Sequence, residues 1–161
     1  MRRKDREVTD IREILDILDR CSVGRLGLCL DGQPYVVPLN FIWEQKAGIL
    51  RLYFHGAAEG RKLDCLRANP RACFETDIPG AVVVTPQACA VTMEYESVMA
   101  EGLCHIIENT AEKRRVLQAL AARYAPEASP EIPEAVLERV AVWCFEVEKL
   151  SGKRLPFSRD S

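Results

Sequence analysis

Apolar positions recur along this chain at two spacings, and each change of spacing marks an element. Ile11, Ile14, Leu15, Leu18 and Cys21 form one helical stripe, and Asp10 with Glu13 resembles a capping box at its start. Val23, Leu26, Leu28 and Leu30, interrupted by Gly24 and Gly27, predict a strand over 22–30. Asp31-Gly32 is a tight-turn signal, so the next strand, from Gln33 to about Trp43, completes a hairpin. A polar turn at 44–48 leads to a strand over 49–54. Small residues then carry the chain into a short helix, where Leu63 and Leu66 recur at helical spacing and Asn69-Pro70 is the stop. A strand follows at 71–76, broken by Asp77-Ile78-Pro79-Gly80. In 81–93 the valines favour a strand and Pro86 interrupts it, which suits an excursion covering a pocket. Alternation returns from Tyr95 to Leu103. A second amphipathic helix is predicted over 110–124 through Val116, Leu117, Leu120 and Tyr124. A proline-bearing loop, a short helical turn at 134–139 and a strand over 140–150, closed by Ser151-Gly152-Lys153, end the pattern.

Some six short strands, hairpin-linked and without repeated strand-helix-strand crossovers, make this a mainly β chain with α-helices (α+β), an antiparallel small barrel rather than a doubly wound sheet. At 161 residues it is of single-domain size, with residues 1–9 as a flexible arm. Apolar residues are 48% and the net charge is −2, which argues against disorder and against a broad nucleic-acid surface. The basic start has no hydrophobic segment after it and no apolar run reaches membrane-spanning length, so a soluble, cytoplasmic protein is expected. Seven cysteines are an odd count without close chelating spacing, and most sit inside apolar patterns as small buried hydrophobes; no metal site is expected.

The chemistry concentrates in 53–64. There a strand end, a loop and a helix start follow one another, and Arg61 and Lys62 stand in the first turn. Cations are unfavourable at the positive end of a helix dipole unless an anion offsets them, and uncapped amides at that end also attract an anion, so the ligand is read as a phosphate. The plainer alternative is a solvated helix start. Pro34 and Pro38 cannot both donate to a central ladder. The backbone from Pro38 to Phe41 is then either free for something flat with a polar edge or part of a bulged edge strand. No Gly-rich dinucleotide fingerprint or phosphate loop occurs.

Four segments in order carry a resemblance: Gly24-Arg25-Leu26-Gly27, the run from Pro34 to Phe41, the run from Tyr53 to Asp64, and Tyr95-Glu96-Ser97-Val98 with Gly102. Together they span about residues 10–150 and resemble the pyridoxamine 5'-phosphate oxidase-like, FMN-binding split-barrel superfamily, nearest its 5-nitroimidazole-resistance branch. The resemblance implies a six-stranded antiparallel split β-barrel with flanking helices, a homodimer, and FMN at the subunit interface. By that resemblance Arg61 and Lys62 hold the phosphate, while Val37, Pro38, Leu39, Asn40 and Phe41 lie against the isoalloxazine ring. His55, Gly56, Ala57 and Gly60 line the ribityl and phosphate path, and Ser97 and Val98 complete the site. His55 is also a candidate catalytic residue for proton delivery, with loop orientation or a hydrogen bond to the flavin as the alternative. The implied activity is an FMN-dependent oxidoreductase taking electrons from a nicotinamide or other donor and passing them to a small acceptor, such as a nitroimidazole or another nitroaromatic. A non-catalytic flavin carrier or redox sensor, or a heme- or deazaflavin-binding member of the fold, are the alternatives. No C-terminal arginine and histidine set for pyridoxamine phosphate is present, so vitamin B6 oxidation is not expected.

Overall fold

The structure, a computed structural model, describes residues 3–156. Helix α1 (Ile11–Arg20) begins at Asp10, whose carboxylate accepts the Arg12 N–H at 2.9 Å. Glu13 instead accepts Arg154 at 2.6 Å, tying α1 to the last strand. Strands β2 (Gly24–Leu30) and β3 (Gln33–Leu39) form the expected hairpin, with Asp31 at φ 49 and Gly32 at φ 76 in the turn. Both central residues of such a turn need positive φ, which Asp-Gly tolerates.

With β4 (Ile42–Lys46), β5 (Ile49–Ala57), β6 (Arg71–Val83), β7 (Thr92–Ile106) and β8 (Val140–Leu155), the strands pair antiparallel in the order β3-β2-β6-β7-β8-β5-β4, and β1 (Glu7–Val8) pairs with β8. The sheet therefore has eight strands rather than six, and it is not closed: among the described residues no ladder joins β3 to β4. Three boundaries differ from expectation. The strand expected over 33–43 is two, broken at Asn40-Phe41, because the Phe41 ring turns into the interior. The break expected at 77–80 is absorbed as a register shift between Pro79 and Val82, so β6 continues. β8 runs past Gly152 because β1 and α1 pack there, and a Cβ on Gly152 would stand 2.9 Å from Ile14 Cγ1. For the same reason the arm is held from Lys4 onward, in a 3-10 turn (Lys4–Arg6) and then β1. Residues 84–91 are an exposed connection at the tip of the β6–β7 hairpin, not a closed excursion.

The strand alternation sends Leu26, Leu52, Phe54, Phe74, Val98, Trp143 and Phe145 inward, and Phe41 joins them. Phe41 meets Phe74 edge-on at 5.1 Å between ring centroids, and Trp143 stacks on Phe54 at 5.8 Å. Helix α2 (Arg61–Ala68) adds Leu63, Cys65 and Leu66 to this interior. Helix α3 (Thr110–Tyr124) covers the outer face of β5 and β8, burying Val116 and Leu120 against Tyr53, Val142 and Cys144. Each such fully buried aliphatic contributes about 1.5–3 kcal/mol. Helix α4 (Glu134–Arg139) adds Leu137. Cys21, Cys65, Cys104 and Cys144 are buried free thiols, as their apolar surroundings predicted. Among the described residues no helix is long and apolar enough to cross a membrane.

Candidate functional site

The start of α2 is built by glycine. Gly60 sits at the N-cap with φ 107, a conformation L side chains rarely adopt, and no side chain caps the helix. Its carbonyl accepts the N–H groups of Leu63 (2.9 Å) and Asp64 (3.3 Å), which sets the first turn. Burial of Leu63 fixes how that turn is rotated. The Lys62 side chain lies across Gly56 at the end of β5: a Cβ there would stand 2.6 Å from Lys62 Cε and 3.2 Å from Nζ. Arg61 holds its guanidinium 5.0 Å from the centroid of the Tyr35 ring on β3. Two adjacent residues thus touch strands far apart in the sheet order. Among the described residues neither cation has a carboxylate within 4.0 Å, whereas Arg20, Arg51, Arg123 and Arg154 all stand in ion pairs. The acid of the first turn, Asp64, faces Arg67 instead, at 3.9 Å. Beside Gly56 the buried Trp143 brings Cη2 to 3.6 Å from that Cβ position, and its indole N–H has no acceptor among the described residues.

The other candidates divide between the two faces of their strands. Val37 and Leu39 pack against the interior, while Pro38 is exposed on the edge strand β3 and Asn40 is exposed just after its end. The free backbone expected up to Phe41 is not free at its end. The Tyr124 hydroxyl accepts the Phe41 N–H at 3.1 Å and lies 2.6 Å from the Phe41 carbonyl and 3.0 Å from that of Ser22, one of which takes its proton. The Asn40 amide donates to the same Ser22 carbonyl at 2.9 Å. Val98 is fully buried in the interior, and Ser97 is half-buried on the opposite face of β7, in register with Asp77 and Lys153. His55 is exposed on the face of β5 opposite Gly56, with no hydrogen-bond partner among the described residues; desolvation by its neighbours lowers its pKa, favouring the neutral ring. Ala57 is exposed beside it.

This split barrel, with two cations where the hairpin-linked sheet stays open, can be set against known proteins. The family model described as pyridoxamine 5'-phosphate oxidase matches residues 10–154. The chain belongs to that family. Within the fold, it is 30% identical to a Bacteroides thetaiotaomicron protein assigned to 5-nitroimidazole antibiotic resistance, over 91% of this chain and 85% of that one, with a TM-score of 0.78. A flavocytochrome of Azotobacter vinelandii is 24% identical and aligns with all of this chain and 75% of its own, at a TM-score of 0.84. A FAD and heme binding protein of Mycobacterium smegmatis is 22% identical over 97% and 77%, at 0.81. The last two are likenesses of fold.

In this member of the pyridoxamine 5'-phosphate oxidase family, three residues beside the candidates escaped sequence reasoning. Tyr35 carries Arg61, Trp143 walls Gly56, and Tyr124 closes the Phe41 backbone. Alternation with Val37 and Leu39 places Tyr35 on the inward face, but nothing local names its partner.

Proposed function

We propose that this chain binds a phosphate-bearing flavin, FMN, and acts as an FMN-dependent oxidoreductase on a small acceptor such as a nitroimidazole or another nitroaromatic. The observation that carries the reading is the pair Arg61 and Lys62: adjacent cations at an uncapped helix start, each seated on another strand and neither paired with a carboxylate among the described residues. The residues fit the group, since cations, open amides and the small Gly56 suit a phosphate, and the orphaned Trp143 N–H leaves a donor beside them. In this reading Arg61 and Lys62 hold the phosphate by charge-assisted hydrogen bonds, and His55, Gly56, Ala57 and Gly60 border its path. Val37, Pro38, Leu39 and Asn40 flank the ring, Phe41 backs them from the interior with its side chain buried and its backbone held by Tyr124, and Ser97 and Val98 complete the site. When bound, the flavin supplies the redox chemistry between a nicotinamide or other donor and the acceptor. His55 would deliver a proton to a reduced acceptor from its imidazolium form, which desolvation by its neighbours disfavours. The exposed apolar side chains Val82, Val84, Val91, Met93 and Met99 support a second copy of the chain as partner, with the sites at the interface.

A second reading, a flavin carrier or sensor without turnover, is favoured by the lack of any group among the described residues that orients or recharges His55. The test is the visible spectrum of the purified protein, followed by titration with FMN, FAD, riboflavin and heme and by donor and acceptor assays. Flavin bands, at least tenfold tighter binding of FMN than of riboflavin, and flavin-dependent turnover are expected. Tight FMN binding without turnover for any pair would select the carrier, and equal affinity for FMN and riboflavin would remove the phosphate site.

A further inference from the structure

We propose that Tyr35 is a positioning residue that presents Arg61 to the phosphate and so helps set the preference for a phosphorylated flavin over an unphosphorylated one. The inference rests on the proposed flavin phosphate site. Arg61 is exposed at the first position of α2, behind a glycine cap that offers its side chain nothing. Left alone, a long arginine there would sample many rotamers, and an oxyanion would have to order it. Tyr35 stands half-buried on β3, opposite Leu28 of β2 and packed against the interior with Val37 and Leu39, so its ring is a fixed surface.

The geometry of the contact matters more than its strength. A guanidinium lying over an aromatic ring uses its face, and its five N–H groups stay in its plane, available to oxygens. Arg115 and Arg123 also lie over rings, at 5.2 Å from Tyr53 and 5.9 Å from Phe41, but Glu44 and Glu112 engage the first and Asp19 with the Cys21 carbonyl the second. Arg61 has the ring and, among the described residues, no oxygen within hydrogen-bond distance, so its donors are held ready and unspent. Tyr35 also links β3, at one end of the sheet order, to the helix start whose next residue lies across β5.

Equilibrium titrations with FMN and with riboflavin, followed by flavin fluorescence, test this on the full chain and its Tyr35→Leu, Tyr35→Phe, Arg61→Ala and Tyr35→Leu/Arg61→Ala variants. Tyr35→Leu should raise the FMN Kd about two- to fivefold, the scale of an exposed cation–π contact, and leave the riboflavin Kd unchanged, which also shows that the variant folds. Tyr35→Phe keeps the ring and should bind FMN like the wild type. In the Arg61→Ala background the Tyr35→Leu step should change nothing further. An unchanged FMN Kd, an equal loss for riboflavin, a Phe variant as weak as the Leu variant, or a full additional loss without Arg61 each overturns the role of Tyr35. A wild-type chain that binds FMN no better than riboflavin overturns the functional reading itself, which separates the two failures.

Discussion

Replacing Gly56 by alanine moves Lys62 without removing it. The added Cβ would stand 2.6 Å from Lys62 Cε, far inside the roughly 3.5–4.0 Å at which carbons attract, while its 3.6 Å from Trp143 Cη2 is an ordinary contact. The flexible lysine therefore yields and the tryptophan stays. Gly56 is not among the positive-φ glycines, so the strand accepts alanine, and folding stability should change by less than about 1 kcal/mol. Displacing the ammonium from a bound phosphate should cost up to a full hydrogen bond to a charged group, about 1.5–3 kcal/mol, or about 10- to 150-fold in the FMN Kd. Fluorescence titration measures the affinity, urea unfolding the stability, and riboflavin serves as the phosphate-free control. Lys62→Ala should lose as much, and the double variant Gly56→Ala/Lys62→Ala no more than Lys62→Ala alone. Unchanged FMN affinity in Gly56→Ala refutes a phosphate held by Lys62 from its seat over this glycine. A further loss on adding Gly56→Ala to Lys62→Ala refutes the reasoning differently, since Gly56 would then be small to admit the ligand itself.

Two other expectations concern the frame around the site. Tyr124→Phe leaves the Phe41 amide without its acceptor and should destabilise the chain by about 1–2 kcal/mol in urea; a shift under about 0.5 kcal/mol would mean that aromatic packing alone holds the crossover. Burial pushes the Cys104 thiol up to about 12 and that of Cys144 up to about 11, from an ordinary 9.0. The folded chain then keeps protons that the unfolded chain gives up, so their contribution is intact below about pH 9 and is lost as the pH climbs towards those values. Urea midpoints should fall over that alkaline range, and less steeply in Cys104→Ala/Cys144→Ala; identical slopes would sink the assignment.

What was legible in the sequence is what is decided locally. Asp10 marks the start of α1, Asn69-Pro70 the end of α2, Asp31-Gly32 the hairpin turn, and the stripe of Val116 and Leu120 the position of α3, because caps, breakers and periodicity act over a few residues. The boundary at Asn40 was not legible, since it depends on burial of the Phe41 ring and on a tyrosine hydroxyl far along the chain that holds the Phe41 backbone. Nor was the continuation of β6 through Pro79 and Gly80, which β7 sustains by pairing on both sides of a bulge. Burial of Glu96 on the inward-facing side of β7 contradicts its residue type until Arg20 and Arg154 meet it, each at 2.6 Å. At the site the two cations stood out in the sequence, but their seats on Tyr35 and Gly56 did not, because both contacts are tertiary.

Those seats answer a problem that an open sheet creates. β3 and β4 lie at opposite ends of the strand order although only Asn40 and Phe41 separate them, so no ladder fixes the distance across the opening there. Arg61 and Lys62 reach to β3 and to β5, and the helix that carries them is anchored in the interior by Leu63, Cys65 and Leu66. Packing, with no neutralising carboxylate among the described residues, holds the two positive charges together at the positive end of a helix. That arrangement is unfavourable in the empty chain. An anion bound between them would relieve the repulsion and add a tie across the opening, so affinity for phosphate and stiffness of the split sheet draw on the same two side chains.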